Sequence, residues 1–227
     1  MREKIGVIAV AAMLIGPGLA WLRLVPGLAG FVIFALGGLI ALVVGLVRVV
    51  QAARGRAFGL GGVVTLIAGM AFLAIAVRGR GAPRINDFTT DLADPPAFRN
   101  AVTLPANAGR DLVYPPAFAP IQQACCADLR PARLPVPPAE AFARARRVAE
   151  TMPAWAITAA DGASGTIEAV ATTRVFGFQD DIAIRVRADG SAASRVDVRS
   201  KSRDGKGDLG ANAARIRAYV MALEAAR

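Results

Sequence analysis

The chain is apolar almost without interruption up to Val77, and from Arg78 onward it alternates between polar and apolar as water-soluble domains do. Three uncharged stretches precede the change: Ile5–Leu22 with 18 residues, Leu24–Val47 with 24 and Ala57–Val77 with 21. A helix rises ~1.5 Å per residue and a bilayer core of ~30 Å takes about 20 residues, so these runs predict three transmembrane helices. The first is short and contains Gly16-Pro17-Gly18, which predicts a kink. Its basic start, Arg2 and Lys4, also fits a signal peptide, but no small-x-small cleavage site precedes the second run.

After the spans, residues 78–138 hold 11 of the 14 prolines, with Phe88, Phe98, Tyr114 and Phe118 among them. Proline fixes φ and removes a donor, which disfavours long helices and central strands. The segment therefore predicts an extended arm wrapped on a core. A helix is predicted at 139–151, with Phe142, Ala145, Val148, Ala149 and Met152 on one face. Four period-two segments follow, at 154–160, 166–173, 181–187 and 194–200, with turns at Asp161-Gly162 and Asp189-Gly190. Trp155, Ile157 and Ala159 share one side of the first strand; Ile182, Ile184 and Val186 point inward on the third, Val196 and Val198 on the fourth. A last helix at 209–226 aligns Ala213, Ile216, Val220 and Leu223.

This pattern predicts an α+β protein. A membrane domain (1–80) precedes an arm (81–138), which joins an α-β4-α core (139–227) in one soluble domain. The core is a four-stranded antiparallel meander whose apolar face the helices cover. Parity constrains the last hairpin. Inward positions are even-numbered on both strands, so paired numbers sum to an even value and a two-residue loop is excluded. Two registers remain, one setting Arg185 against Asp197, the other Asp181 against Arg199.

Charge changes the picture less than its total suggests. The net charge is +10, a value that invites a nucleic-acid reading. Residues 1–84 carry nine Lys/Arg against one acidic residue, and residues 85–227 carry eighteen against sixteen. The excess thus flanks the spans, where it sets topology and meets anionic lipid, and no nucleic-acid partner is expected. With the N-terminus inside, Arg2, Lys4, Arg48, Arg54 and Arg56 lie inside and Arg23, Arg78, Arg80 and Arg84 outside. That margin of one charge places the soluble domain in the periplasm of a bacterial inner-membrane protein. Glycines in the second and third spans (Gly37, Gly38, Gly45, Gly59, Gly61, Gly62, Gly69) suit close helix packing, within the chain, in a homo-oligomer or against a partner protein.

The chain has no histidine, and its two cysteines are the adjacent Cys125 and Cys126. His-based triads and His-containing metal sites are excluded, and neither metal nor cofactor is expected. The densest polar run spans Arg195–Ile216. Here the chain resembles the domain of unknown function 1499 family. The resemblance rests on the runs 85–98, Met152-Pro-Ala-Trp155, Phe176-Gly-Phe-Gln-Asp-Asp-Ile182 with Ile184-Arg-Val-Arg187, and Val196-Asp-Val-Arg-Ser200 through Ile216. It covers roughly residues 84–225 and departs at Cys125-Cys126-Ala127, where members often read Ala-Tyr-Pro. Members with apolar N-terminal spans agree with an anchor, and the resemblance implies a domain without an assigned chemistry.

The residues still suggest a site. Arg199, Arg203 and the first amides of the last helix suit an anion such as phosphate or carboxylate, with Asp208 capping that helix. Arg185, Asp181, Asn212 and Trp155 complete the candidate ligand-binding set. The plainer assignment pairs Arg199 with Asp181 and uses Asn212 to tie down the arm. Asn86, Asp87, Thr89, Thr90, Asp91 and Asp94, with Asp180 and Asp181, form a weaker oxygen-only metal candidate. Glu168 with Asp181 is a weaker hydrolytic pair, both being explicable by cross-strand ion pairs. The expected function is a membrane-anchored envelope protein whose soluble domain binds a small anionic or lipid-like ligand or a partner protein. A carboxylate-dependent hydrolase or transferase and a structural membrane subunit are the alternatives.

Overall fold

A computed structural model describes residues 2–226. The chain divides into two units: residues 1–81 with the loop 173–178, and residues 82–172 with 179–227.

The first unit holds α1 (Arg2–Trp21), α2 (Gly27–Ala53) and α3 (Gly59–Arg78). All three helices are long and apolar enough to cross a membrane, and they attach the protein to it. Pro17 lies inside α1. Glycines let these helices pack closely. A Cβ at Gly37 would sit 2.7 Å from Ala9 O of α1, one at Gly45 2.7 Å from Leu66 Cα of α3, and one at Gly69 2.4 Å from Leu42 Cα. One at Gly38 would sit 2.3 Å from the Phe72 ring. Gly59 and Gly61, grouped with these in the sequence pattern, meet nothing within 4 Å. Thr65 Oγ1 donates to Gly61 O at 2.7 Å, so its hydroxyl needs no partner from lipid. In the loop, Phe176 and Phe178 place their rings 5.4 and 6.1 Å from Phe31.

The second unit is a sheet with helices on one face and the arm on the other. Its strands are β1 (Asp87–Thr89), β2 (Ala132–Leu134), β3 (Trp155–Asp161), β4 (Thr166–Thr172), β5 (Gln179–Ala188) and β6 (Ser194–Ser202). The meander β3-β4-β5-β6 has the predicted antiparallel order, but the sheet is larger than the four strands expected. β1 and β2 both join the free edge of β6. The arm is extended as its prolines require, yet it contributes these two short strands and a helix, α4 (Phe118–Cys126). Two helices, α5 (Pro138–Thr151) and α6 (Ala211–Ala225), cover the apolar face.

The last hairpin obeys the parity argument. Arg185 pairs with Asp197, and pairing closes at Ala188 and Ser194, leaving a five-residue loop, 189–193. Ile182, Ile184, Val186, Val196 and Val198 are buried together with Phe88, Ala145, Ile216 and Leu223. The first strand breaks its predicted alternation. A bulge between Ile157 and Ala159 sets Ala159 opposite Glu168, and Ala160 opposite Ile167. Such a bulge is common on an edge strand, where it interrupts the flat row of unpaired groups.

Candidate functional site

The face of the sheet turned from α5 and α6 carries the odd-numbered residues of β5 and β6 and the even-numbered ones of β4, and the arm covers it. Three buried charge clusters fasten the arm there. In the first, Asp87 of β1, fully buried, receives Arg199 Nε and Nη2 at 2.9 and 2.7 Å and Lys201 Nζ at 3.0 Å. In the second, Asp181 receives Arg203 Nη2 at 2.6 Å, and Arg110 of the arm approaches it to 3.7 Å. In the third, Asp91 and Asp197 meet Arg187 and Arg195 at 2.8–3.1 Å, with Arg185 at 3.4–3.5 Å. Arg185 and Arg187 also hold Asp94 at 3.0 and 2.8 Å. The Arg185 guanidinium beside Asp94 is the main reason its carboxyl stays below the usual aspartate value.

Glu168 works differently from the expected cross-strand ion pair. Its Oε1 accepts the amides of Arg99 and Asn100 at 2.6 and 2.8 Å, and Oε2 accepts that of Ala101 at 2.7 Å. A β4 carboxylate thereby receives the first amides of the 3-10 turn Ala101–Thr103 and holds the preceding residue, Phe98, over the sheet. Gln122 of α4 serves β1 in a similar way. It donates to Thr89 O at 2.6 Å and accepts Thr89 N at 3.0 Å, completing the strand edge with a side chain.

Between these fastenings the arm forms an open cavity of about 540 Å³. Leu92, Pro95, Phe98, Leu112, Tyr114 and Pro116 are among its apolar walls, and Arg199 is its charged residue. The Arg199 guanidinium carbon lies 4.6 Å from the Phe98 ring centre and 5.6 Å from that of Tyr114. Nη1 donates to Pro96 O at 3.1 Å, and Nη2 also donates to Leu112 O at 2.7 Å. With the two bonds to Asp87, four of its five N–H groups are engaged. Burial, reinforced by Asp87, pushes the Tyr114 phenol well above its ordinary range, so it stays neutral. Volume, apolar lining and one fixed charge are the ordinary attributes of a small-molecule site.

The remaining sequence candidates lie elsewhere. Arg185, Arg203 and Asp181 are on the same sheet face, but none lines the cavity. Arg199 pairs with Asp87, not Asp181, because the register sets Arg199 against Ala183. Trp155 stacks on Tyr219 at 5.4 Å on the helical face. Asp208 caps α6, accepting Gly210 N at 2.9 Å and Asn212 N at 2.6 Å. Its carboxylate thus occupies the amides that had suggested an anion site. Asn212 binds Ser202 Oγ at 2.8 Å and reaches Asn86 O at 3.3 Å, tying down the arm. The oxygen-rich metal candidate does not assemble: Asp87, Asp91 and Asp94 go to cations, and Asp180 to Arg215 at 2.6 Å. Among the described residues, no group of three His, Cys, Asp or Glu side chains stands close enough to hold a metal ion.

The family described as "Protein of unknown function (DUF1499)" matches residues 87–223. The chain belongs to the DUF1499 family. No curated protein and no solved structure matches it. The matched residues begin at Asp87, so the DUF1499 region takes in the arm, the cavity and the sheet together. Sequence reasoning picked out Arg199 from this DUF1499 domain but missed its setting. The available signal was the set of aromatic residues, Phe98 and Tyr114, among prolines that cannot build a core of their own. Cys125 is exposed and Cys126 buried. Partial desolvation of the Cys125 sulfur, together with the adjacent Cys126 thiol, raises its pKa above the ordinary cysteine value.

Proposed function

We propose that this protein is an envelope component, anchored in a bacterial inner membrane, whose periplasmic domain holds a small lipid-like anion in the arm cavity. The observation that carries this reading is the apolar cavity of about 540 Å³ with the buried Arg199 in its wall. Apolar walls take the body of such a ligand, and a fixed cation in a low-dielectric setting selects the sign of its head. The positive-inside margin supports the periplasmic orientation.

The test is the purified full-length chain in detergent. Native mass spectrometry with single-chain anionic amphiphiles should give a one-to-one adduct, and Ala119→Trp, which fills the cavity from α4, should abolish it. An adduct that survives Ala119→Trp removes the cavity from the proposal. A C-terminal alkaline phosphatase fusion tests the orientation separately and should be active.

A further inference from the structure

The charge arithmetic around the cavity identifies the head group. Asp87 is the only carboxylate among the described residues bound to Arg199 and Lys201, which are 2% and 7% exposed. The cluster therefore carries one uncompensated positive charge, and burial makes that charge costly to leave alone. Neighbouring clusters offer no relief. Asp181 faces both Arg203 and Arg110. Three arginines match Asp91, Asp94 and Asp197 one to one.

The guanidinium also keeps one donor free. Among the described residues no acceptor meets the fifth N–H of Arg199, on Nη1. Elsewhere in the wall, Pro95 and Pro116 have no N–H, and the amides of Ala93, Val113 and Ala119 already donate to Asp91, Asp111 and Pro116, while those of Leu92, Ala97, Phe98, Leu112 and Tyr114 meet no acceptor among the described residues. The Tyr114 hydroxyl points its bond at Gln122 Oε1, 3.3 Å away. One buried positive charge to neutralise fits a monoanion, whereas a phosphate monoester, with up to two charges, would bring more charge than the cluster offsets.

Resting on the cavity reading above, we infer that the ligand's head carries a single negative charge, as a carboxylate does, on an apolar body. That head accepts the remaining Nη1–H of Arg199 and balances Lys201. Lys201 acts at one remove, as a source of charge behind Arg199.

Three probes of equal chain length separate the possibilities: dodecanoate, dodecyl phosphate and dodecanol, each titrated against the full-length chain by native mass spectrometry. Dodecanoate should bind at least about tenfold more tightly than dodecanol, the worth of a charge-assisted hydrogen bond. It should also outbind dodecyl phosphate. Lys201→Met keeps the apolar stem, leaves Asp87 paired with Arg199 and removes the surplus charge. It should reduce the dodecanoate-to-dodecanol ratio severalfold. Equal binding of dodecanoate and dodecanol, tighter binding of dodecyl phosphate, or an unchanged ratio in a folded Lys201→Met protein would each overturn the single-charge assignment, the cavity reading surviving. If none of the three probes binds, the cavity reading falls as well. The wild-type comparison stands on its own should Lys201→Met fail to fold.

Discussion

Replacing Glu168 by Gln removes one negative charge and exchanges one acceptor oxygen for an NH2 donor at the centre of the arm's attachment. The native carboxylate is 4% exposed and accepts three amides at 2.6–2.8 Å. A glutamine in the same place must turn its NH2 toward at least one of those amides, donor against donor. An orphaned buried amide costs ~1–3 kcal/mol, and the bonds that remain lose their charge assistance. Burying a neutral amide is easier than burying a carboxylate, which offsets part of the loss. A net destabilisation of about 2 kcal/mol follows, or a fall in melting temperature of about 4–8 °C for a domain of this size. Near-ultraviolet circular dichroism of the full-length protein reads the melt, and hydrogen exchange reads residues 99–101. A Glu168→Gln protein that melts within about 1 °C of the wild type, with wild-type exchange at those amides, refutes the role assigned to Glu168.

Gly69→Val should split α2 from α3, since a Cβ there would lie 2.4 Å from Leu42 Cα, whereas Gly61→Ala, into open space, should be silent; melting in detergent distinguishes them. Tyr219→Phe removes the 2.9 Å bond to Ala145 O from the helical face and should cost ~1 kcal/mol in denaturant unfolding. Asp94 titrates below its ordinary value when folded. Its tie to Arg185 and Arg187 is therefore intact above the unfolded pKa of about 4 and is lost as pH falls through the lower folded value. Loosening of the arm below about pH 4, seen as faster proteolysis near residue 94, should shift in Asp94→Asn to be present already at neutral pH.

The meander and its two helices were legible because their signals are local. Val196 and Val198 alternate with Asp197 and Arg199 whatever lies opposite, and parity alone reduced the last hairpin to two registers. β1 and β2 were not legible for the opposite reason. Asp-Phe-Thr and Ala-Arg-Leu are too short to show a period, and they are strands only because β6 offers them an edge. The site divides along the same line. Arg199 stood out as a cation on the polar face of the last strand, beside the dense charged run that follows it. Its partner Asp87 lies 112 residues away, and no spacing rule connects the two. At α6 the Asp208 carboxylate itself accepts the Gly210 and Asn212 amides, the capping role its position in the sequence suggested.

Strand β6 has both edges taken, by β5 on one side and by β1 and β2 on the other. Its partners lie on both sides of it in space but all before it in the sequence. During synthesis the arm therefore leaves the ribosome roughly a hundred residues ahead of the strand it needs, and pairing of such separation is slow. Asp87, Asp91 and Asp94 wait in water without their arginines, and Phe98 and Tyr114 wait without a cover. A proline-rich segment suits that interval, because it is a poor template for mispairing while it remains unpartnered. Completion of β6 then closes the sheet, gives Asp87 its two cations and sets Arg199 in the wall of the cavity. Truncation before Ser194 should leave a membrane-anchored chain whose arm keeps its ties to Glu168 and Arg185 but loses the Asp87 ion pairs and the Arg199 wall of the pocket.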